Sequence, residues 1–413
     1  MSHRLEAPPA RLTPTLVAST LIAALGGLLF GFDTAVISGT TEALRSVYGL
    51  GGFGLGFTVA SALIGTILGA MVVGRPTDAF GRRRVLTAIA VLYFVSAVGT
   101  ALAWDWWSLL FFRFIGGIGV GGASVVSPMY IAEISPAALR GRLVAVTQFN
   151  IVLGILLAYL SNWWLARLSL GEAEWRWMFG VEAFPAAAFL GLLFLTPHSP
   201  RWLVARGRSA EAREVLLRVG TAPERVDAEV SSIRASLDLE HHSLEEPFFQ
   251  EAYKRPILLA VAIATFNQLS GINALMYYAP TIFRMAGAGA ESALFQSVLV
   301  GGINLVFTIA AMAVIDRFGR RRLMLAGSIG YIASLAATAW AFYRYGTDFT
   351  PTGSLVVLAS LLVFIASHAF GQGAVIWVFI SEVFPNRARA RGQAGADIIV
   401  DDLVALQLDL LAP

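Results

Sequence analysis

"GRPTDAFGRRR" (Gly74–Arg84) returns as "AVIDRFGRRR" (Ala313–Arg322), with Asp78 and Asp316 238 residues apart. A second pair keeps nearly the same period. "EISPAALRGR" (Glu133–Arg142) matches "EVFPNRARAR" (Glu382–Arg391), with Glu133 and Glu382 249 residues apart. Two different motifs recurring in one order at almost one spacing mark an internal duplication. The residues between the motifs are strongly apolar. The chain is 57% hydrophobic and only 14% charged, with a mean hydropathy of +0.69, whereas soluble domains carry about 25% charged residues. A helix of about 20 apolar residues crosses a bilayer. Ten stretches qualify, near 15–38, 54–74, 85–104, 107–131, 143–165, 177–196, 256–282, 293–315, 323–343 and 354–381.

Arginine placement orients these segments. Joints after even-numbered segments, together with Arg4 and Arg11, hold 24 of the 30 cations, and joints after odd-numbered segments hold 5. The positive-inside rule puts the N-terminus and the long 197–255 loop in the cytoplasm of an inner-membrane protein. Both copies of the repeat then face the same way, which predicts parallel halves related by an axis along the membrane normal. The expected fold is all-α and polytopic, with two six-helix repeats, the second incomplete. Residues 1–196 form the first bundle, 197–255 a linker with short amphipathic helices, 256–395 a four-span second bundle, and 396–413 an acidic tail.

Two charges of opposite sign, one acid and one base, stand out inside the apolar segments. Asp33 sits in "GGLLFGFDTAVISG" (Gly26–Gly39) and Arg113 in "FFRFIGGIGVGGASVVSPMY" (Phe111–Tyr130). A charge at mid-membrane costs about 2.5–3.5 kcal/mol on insertion scales, so two lone opposite charges suggest a functional pair. A nearby cation favours a carboxylate and burial favours the neutral acid. A pair that parts as the protein moves therefore links proton uptake to motion. The glycines after Arg113 suit close helix approach.

Other chemistry is absent. There is no cysteine, no His/Asp/Glu set at metal-ligand spacing and no nucleophile–base set, so neither an enzyme nor a metal or other cofactor is expected. No basic run is interleaved with aromatics as a nucleic-acid surface needs. His3, His241 and His242 fall in solvent-exposed segments, and His368 reads as a lone core histidine.

Together with "PHSPRWL" (Pro197–Leu203), "NQLSGINALMYYAP" (Asn267–Pro280) and "WVFISEVFPNRARARGQ" (Trp377–Gln393), these motifs resemble the sugar porters of the major facilitator superfamily, closest to bacterial proton-coupled xylose and hexose symporters. The likeness covers roughly residues 15–395. It implies proton-coupled monosaccharide transport by alternating access, with Asp33 carrying the proton and Arg113 tuning it. It implies sugar ligands Phe30, Gln148, Asn267, Gln268, Asn273, Asn304 and Trp377, with Tyr277 and Tyr278 closing the outer entrance. Gln268 and Asn273 are five apart and poorly placed to share one face of a straight helix, unless Gly271 loosens it. Asp78, Arg82, Arg83, Glu133 and Arg140, joined by Glu182 and Arg201, are implied as a cytoplasmic ion-pair network, with Asp316, Arg320, Glu382 and Arg389 as its twin. The resemblance also implies a monomer in a lipid bilayer.

Several positions depart from the family pattern. Asn267 replaces a glutamine, His198 a glutamate and Ala374 a proline. Two full halves need twelve spans. After residue 395 comes "ADIIVDDLVALQLDLLAP" (Ala396–Pro413), too acidic for an eleventh. It reads either as a weak amphipathic helix or as out-of-frame sequence in place of a lost C-terminus. A truncated, non-transporting remnant or sugar-binding sensor, and a facilitator without proton use, are the competing functions.

Overall fold

The computed structural model describes residues 12–243, 254–373, 375–376 and 379. Trp377, Glu382, Arg389, Ala374 and the 396–413 tail lie outside the described residues. Among the described residues, ten helical segments are long and apolar enough to cross a membrane, and there is no strand. Spans 1 to 6 are Pro14–Gly39, Gly52–Val72, Arg82–Ala101, Trp106–Ile134, Arg140–Ala166 and Gly171–Leu195. Spans 7 to 10 are Lys254–Met285, Ala290–Phe318, Arg320–Tyr345 and Pro351–Gly373.

Local chemistry sets the helix ends. Thr13 caps span 1 by accepting from the Leu16 N–H, with Pro14 in the first turn. Asp105 and Ser108 form a reciprocal capping box at the start of span 4, satisfying N–H groups that a helix start leaves orphaned. The tight turns inside the duplicated motif rest on Gly81 and Gly319, with φ of 89° and 77°, a region costly for any residue with a Cβ.

Glycines bring the first half together. A Cβ at Gly117 would overlap the Ala62 carbonyl, and one at Gly121 the Thr66 carbonyl, so spans 2 and 4 touch backbone to backbone. Gly31 and Gly154 do the same for spans 1 and 5. Without a hydrophobic drive between helices in lipid, such close van der Waals contact supplies much of the association.

The linker helices Pro200–Ala205, Ser209–Arg218 and Pro223–Ser243 dock on the first half. Trp202, Leu203, Val215, Leu216, Val226 and Val230 join one hydrophobic cluster with span 3 and span 4 residues. A second cluster crosses between the halves. It includes Tyr159 of span 5, Ile272, Met276, Tyr277 and Phe283 of span 7, Val300 of span 8, and Leu361 and Phe364 of span 10.

Candidate functional site

Span 1 and span 4 place Asp33 and Arg113 against each other. The Arg113 Nη1 donates to Asp33 Oδ1 at 3.3 Å, with the two residues 2% and 8% exposed. The guanidinium also lies over the Phe179 ring, 5.4 Å from its centroid. A third charge completes the group. Glu182 is 4% exposed, and it interacts electrostatically with both Asp33 and Arg113. This corrects the expectation that Glu182 joins the arginine-rich network at the membrane edge. Glu182 lies midway along span 6, where Val181 and Glu182 keep right-handed helical backbone angles, and so falls among the buried charges. One guanidinium thus lies in the field of two buried carboxylates, with its ion pair to Asp33 and with Glu182 Oε1 left without a hydrogen-bond partner.

Span 7 carries the amides. Its first helix ends at Leu269, Gly271 adopts φ 86°, and a new helix runs Ile272–Met285. The break turns Asn273 back, so that its Nδ2 donates to Gln268 Oε1 at 2.5 Å. Gln268 is buried and Asn273 half-buried. Asn267 is half-buried too, with an Oδ1 that has no hydrogen-bond partner. Asn304 of span 8 is buried, while Phe30 and Gln148 of the first half are half-buried.

A second irregularity follows in the same span. Tyr278 has non-helical φ/ψ (−123°, 16°), and Pro280 lies two residues on. Proline lacks the N–H that would bond the carbonyl four residues back, which here belongs to Met276. That carbonyl is taken by the Tyr159 hydroxyl of span 5, which donates to it at 2.7 Å. Tyr159 was not singled out from sequence. Tyr277 is buried and Tyr278 half-buried beside this contact.

More contacts join the halves at the same face, away from the arginine-rich loops. Arg284 Nη1 meets Glu42 Oε2 at 2.7 Å, and Arg167 Nε meets Glu291 Oε1 at 3.2 Å. The Thr41 and Thr281 hydroxyls are 3.5 Å apart. At the arginine-rich face, by contrast, the ion pairs among the described residues stay within one half. Arg82 pairs with Asp78 at 3.2 Å and with Glu133 at 2.9 Å, and Arg320 pairs with Asp316 at 3.3 Å. Glu133 also accepts from the Ser199 hydroxyl, and Arg83 donates to the Phe194 carbonyl. Arg201 donates to the Ser236 hydroxyl. Arg140, grouped with these residues by its motif, is exposed and enters no ion pair among the described residues.

His198 is stacked on Trp202 with ring centroids 5.4 Å apart. It borders a cavity of about 260 Å³ with Arg83, Glu211, Glu214 and Arg218. Burial, then the cations Arg83, Arg208 and Arg84, hold its imidazole below the ordinary histidine value, opposed by Glu211.

A family profile described as "Sugar (and other) transporter" matches residues 19–399. The D-xylose-proton symporter of Escherichia coli (strain K12) is 40% identical over 405 residues, covering 91% of this chain and 81% of that protein. The arabinose-proton symporter of Bacillus subtilis (strain 168) is 35% identical, covering 94% and 84%. A partially occluded inward open conformation of the xylose transporter XylE from E. coli superposes with a TM-score of 0.85. It is 37% identical and covers 96% of this chain and 91% of that one.

Proposed function

This chain belongs to the sugar transporter family of the major facilitator superfamily, and we propose that it is a proton-coupled monosaccharide symporter of the inner membrane working by alternating access. It is a multi-pass membrane transporter, not an enzyme. In this reading the N-terminus and the arginine-rich loops are cytoplasmic, and the face where the halves meet is the outer one.

The observation that carries the reading is the buried group of Asp33, Arg113 and Glu182. With all three ionised it bears one net negative charge, and one proton neutralises it. Arg113 offers its charge to whichever carboxylate is ionised, so a change in its position decides whether the proton stays. Asp33 carries the proton, Arg113 sets when it leaves, and Glu182 is a second buried acid in the field of that cation. At a membrane potential of ~150 mV one charge is worth about 3.5 kcal/mol, enough for roughly 300-fold accumulation.

The sugar binds between the halves. Asn267, Gln268, Asn273 and Asn304 supply donors and acceptors from one side and Gln148 from the other, with Phe30 and Trp377 as aromatic faces. Few, directed polar groups within an apolar lining suit a small polyol. The Tyr277 and Tyr278 region closes the outer entrance, and the Asp78–Arg82–Glu133 and Asp316–Arg320 clusters brace the cytoplasmic ends.

The test is uptake by proteoliposomes supplied with D-xylose, L-arabinose or D-glucose under an imposed proton gradient. Asp33→Asn is expected to abolish uphill accumulation while sparing counterflow. Uphill uptake surviving in Asp33→Asn removes the coupling role and leaves a facilitator. Binding without counterflow in the unaltered protein instead identifies a sugar-binding, non-transporting chain.

A further inference from the structure

Span 10 buries one stripe of its surface. Val357, Leu361, Phe364 and Ile365 along it belong to the cluster that also holds Ile272, Met276 and Tyr277 of span 7 and Val300 of span 8. His368 continues the stripe one turn deeper and is only 7% exposed. There the apolar run stops. At 1.5 Å per residue, His368 lies about 26 Å along its helix from Pro351, and Asn304 about 21 Å from the start of span 8 at the same face. The two are within a turn of each other in depth, and span 8 packs against span 10.

The His368 Nδ1 has no hydrogen-bond partner. A buried imidazole without one forfeits its hydration, which structures seldom tolerate without a reason. Its ring neighbour is Phe364, with centroids 6.2 Å apart. The next polar side chain along the span is already committed, since Gln372 donates to the Ser328 hydroxyl at 3.0 Å and approaches the Met324 carbonyl at 3.4 Å. Between the two residues the helix loosens into a π-helical turn, Ala369–Gly373, an irregularity often found at functional sites.

A metal role has no support, because the described residues hold no cluster of three His, Asp or Glu side chains. A proton-relay role lacks a partner, because the described acids of the second half, Glu291, Asp316 and Asp348, are all at helix ends or in a loop. What remains is a neutral hydrogen-bonding role at the depth of the span 7 and span 8 amides.

We propose that His368 is a substrate ligand whose imidazole hydrogen-bonds one hydroxyl of the bound monosaccharide from the second half. The inference rests on the transport reading above. An imidazole nitrogen donates or accepts, and a sugar hydroxyl does both. A buried group of this kind penalises an analogue lacking that hydroxyl, because it is then left unpaired. His368 is thus a determinant of which sugar is carried.

The experiment compares unaltered protein, His368→Phe and His368→Gln in proteoliposome counterflow of D-xylose, L-arabinose and D-glucose. Monodeoxy analogues of the best substrate serve as competitors. His368→Phe is expected to raise KM about 5- to 20-fold, with the maximal rate within about threefold, and His368→Gln to fall between. One deoxy analogue should compete poorly against the unaltered protein yet as well as its parent sugar against His368→Phe. Normal counterflow with an unchanged KM and analogue profile in His368→Phe overturns the proposal alone. No counterflow by the unaltered protein overturns the transport reading and this proposal with it. If His368→Phe does not fold, 15N-histidine spectra of the unaltered protein decide. A sugar-dependent shift of a resonance missing from His368→Gln supports the role, and an unmoved resonance overturns it.

Discussion

Tyr159→Phe tests how the outer face is held shut. The Pro280 kink leaves the Met276 carbonyl without its helical donor, and the Tyr159 hydroxyl supplies one at 2.7 Å from the opposite half. Tyr159 is 1% exposed, so removing its oxygen keeps the ring packing and strands a buried carbonyl. An unsatisfied buried acceptor costs about 1–3 kcal/mol. When the halves part, water reaches that carbonyl, so the cost falls only on the state closed at this face. Taking about 1–2 kcal/mol as the net bias, the outward-open population should rise roughly 5- to 30-fold.

The chain has no cysteine, which makes a single-cysteine assay direct. Val300 is fully buried in the inter-half cluster, so a Val300→Cys thiol is reached by an impermeant maleimide only when that cluster opens. Labelling from outside should accelerate by the same 5- to 30-fold in the Tyr159→Phe background. An unchanged or slower rate, with the protein monodisperse, refutes the reasoning that this hydrogen bond holds the kink to its partner.

The exposed pair Glu42–Arg284 should contribute less, about 0.2–1 kcal/mol. Glu42→Gln should therefore speed the same labelling up to about fivefold at low salt and little at high salt, and exchanging the two charges should restore the original rate. Gly117→Ala forces a Cβ onto the Ala62 carbonyl, backbone that cannot step aside. It should cost about 1–3 kcal/mol, read as a lower melting temperature in detergent, whereas Gly141→Ala, with open space around it, should be neutral or stabilising. Burial and neighbouring cations hold the His198 imidazole below the ordinary histidine value, so the unfolded chain binds more protons as pH falls through that value. Stability should drop there, and His198→Gln should flatten that part of the melting-temperature profile between pH 8 and pH 5.

The ten spans and the duplicated halves were legible in the residues alone because lipid imposes length and apolarity on every crossing helix. Cation asymmetry and the paired Asp-Gly-Arg motifs likewise need no tertiary knowledge. Asp33 and Arg113 also stood out, since lone charges in apolar runs are conspicuous and opposite signs invite pairing. Packing decided what came next. Glu182 went to the buried charges instead of the arginine-rich edge because it sits midway along span 6, and which neighbours face that position is decided by helix packing. Asn273 meets Gln268 through a single left-handed glycine, a possibility the spacing raised but a backbone angle had to settle. His368 reads as a lone core histidine in the chain, and nothing there singles out Tyr159. Their neighbours come from helices far away in sequence, and only the docking of the halves sets one against a kinked carbonyl and buries the other without a partner.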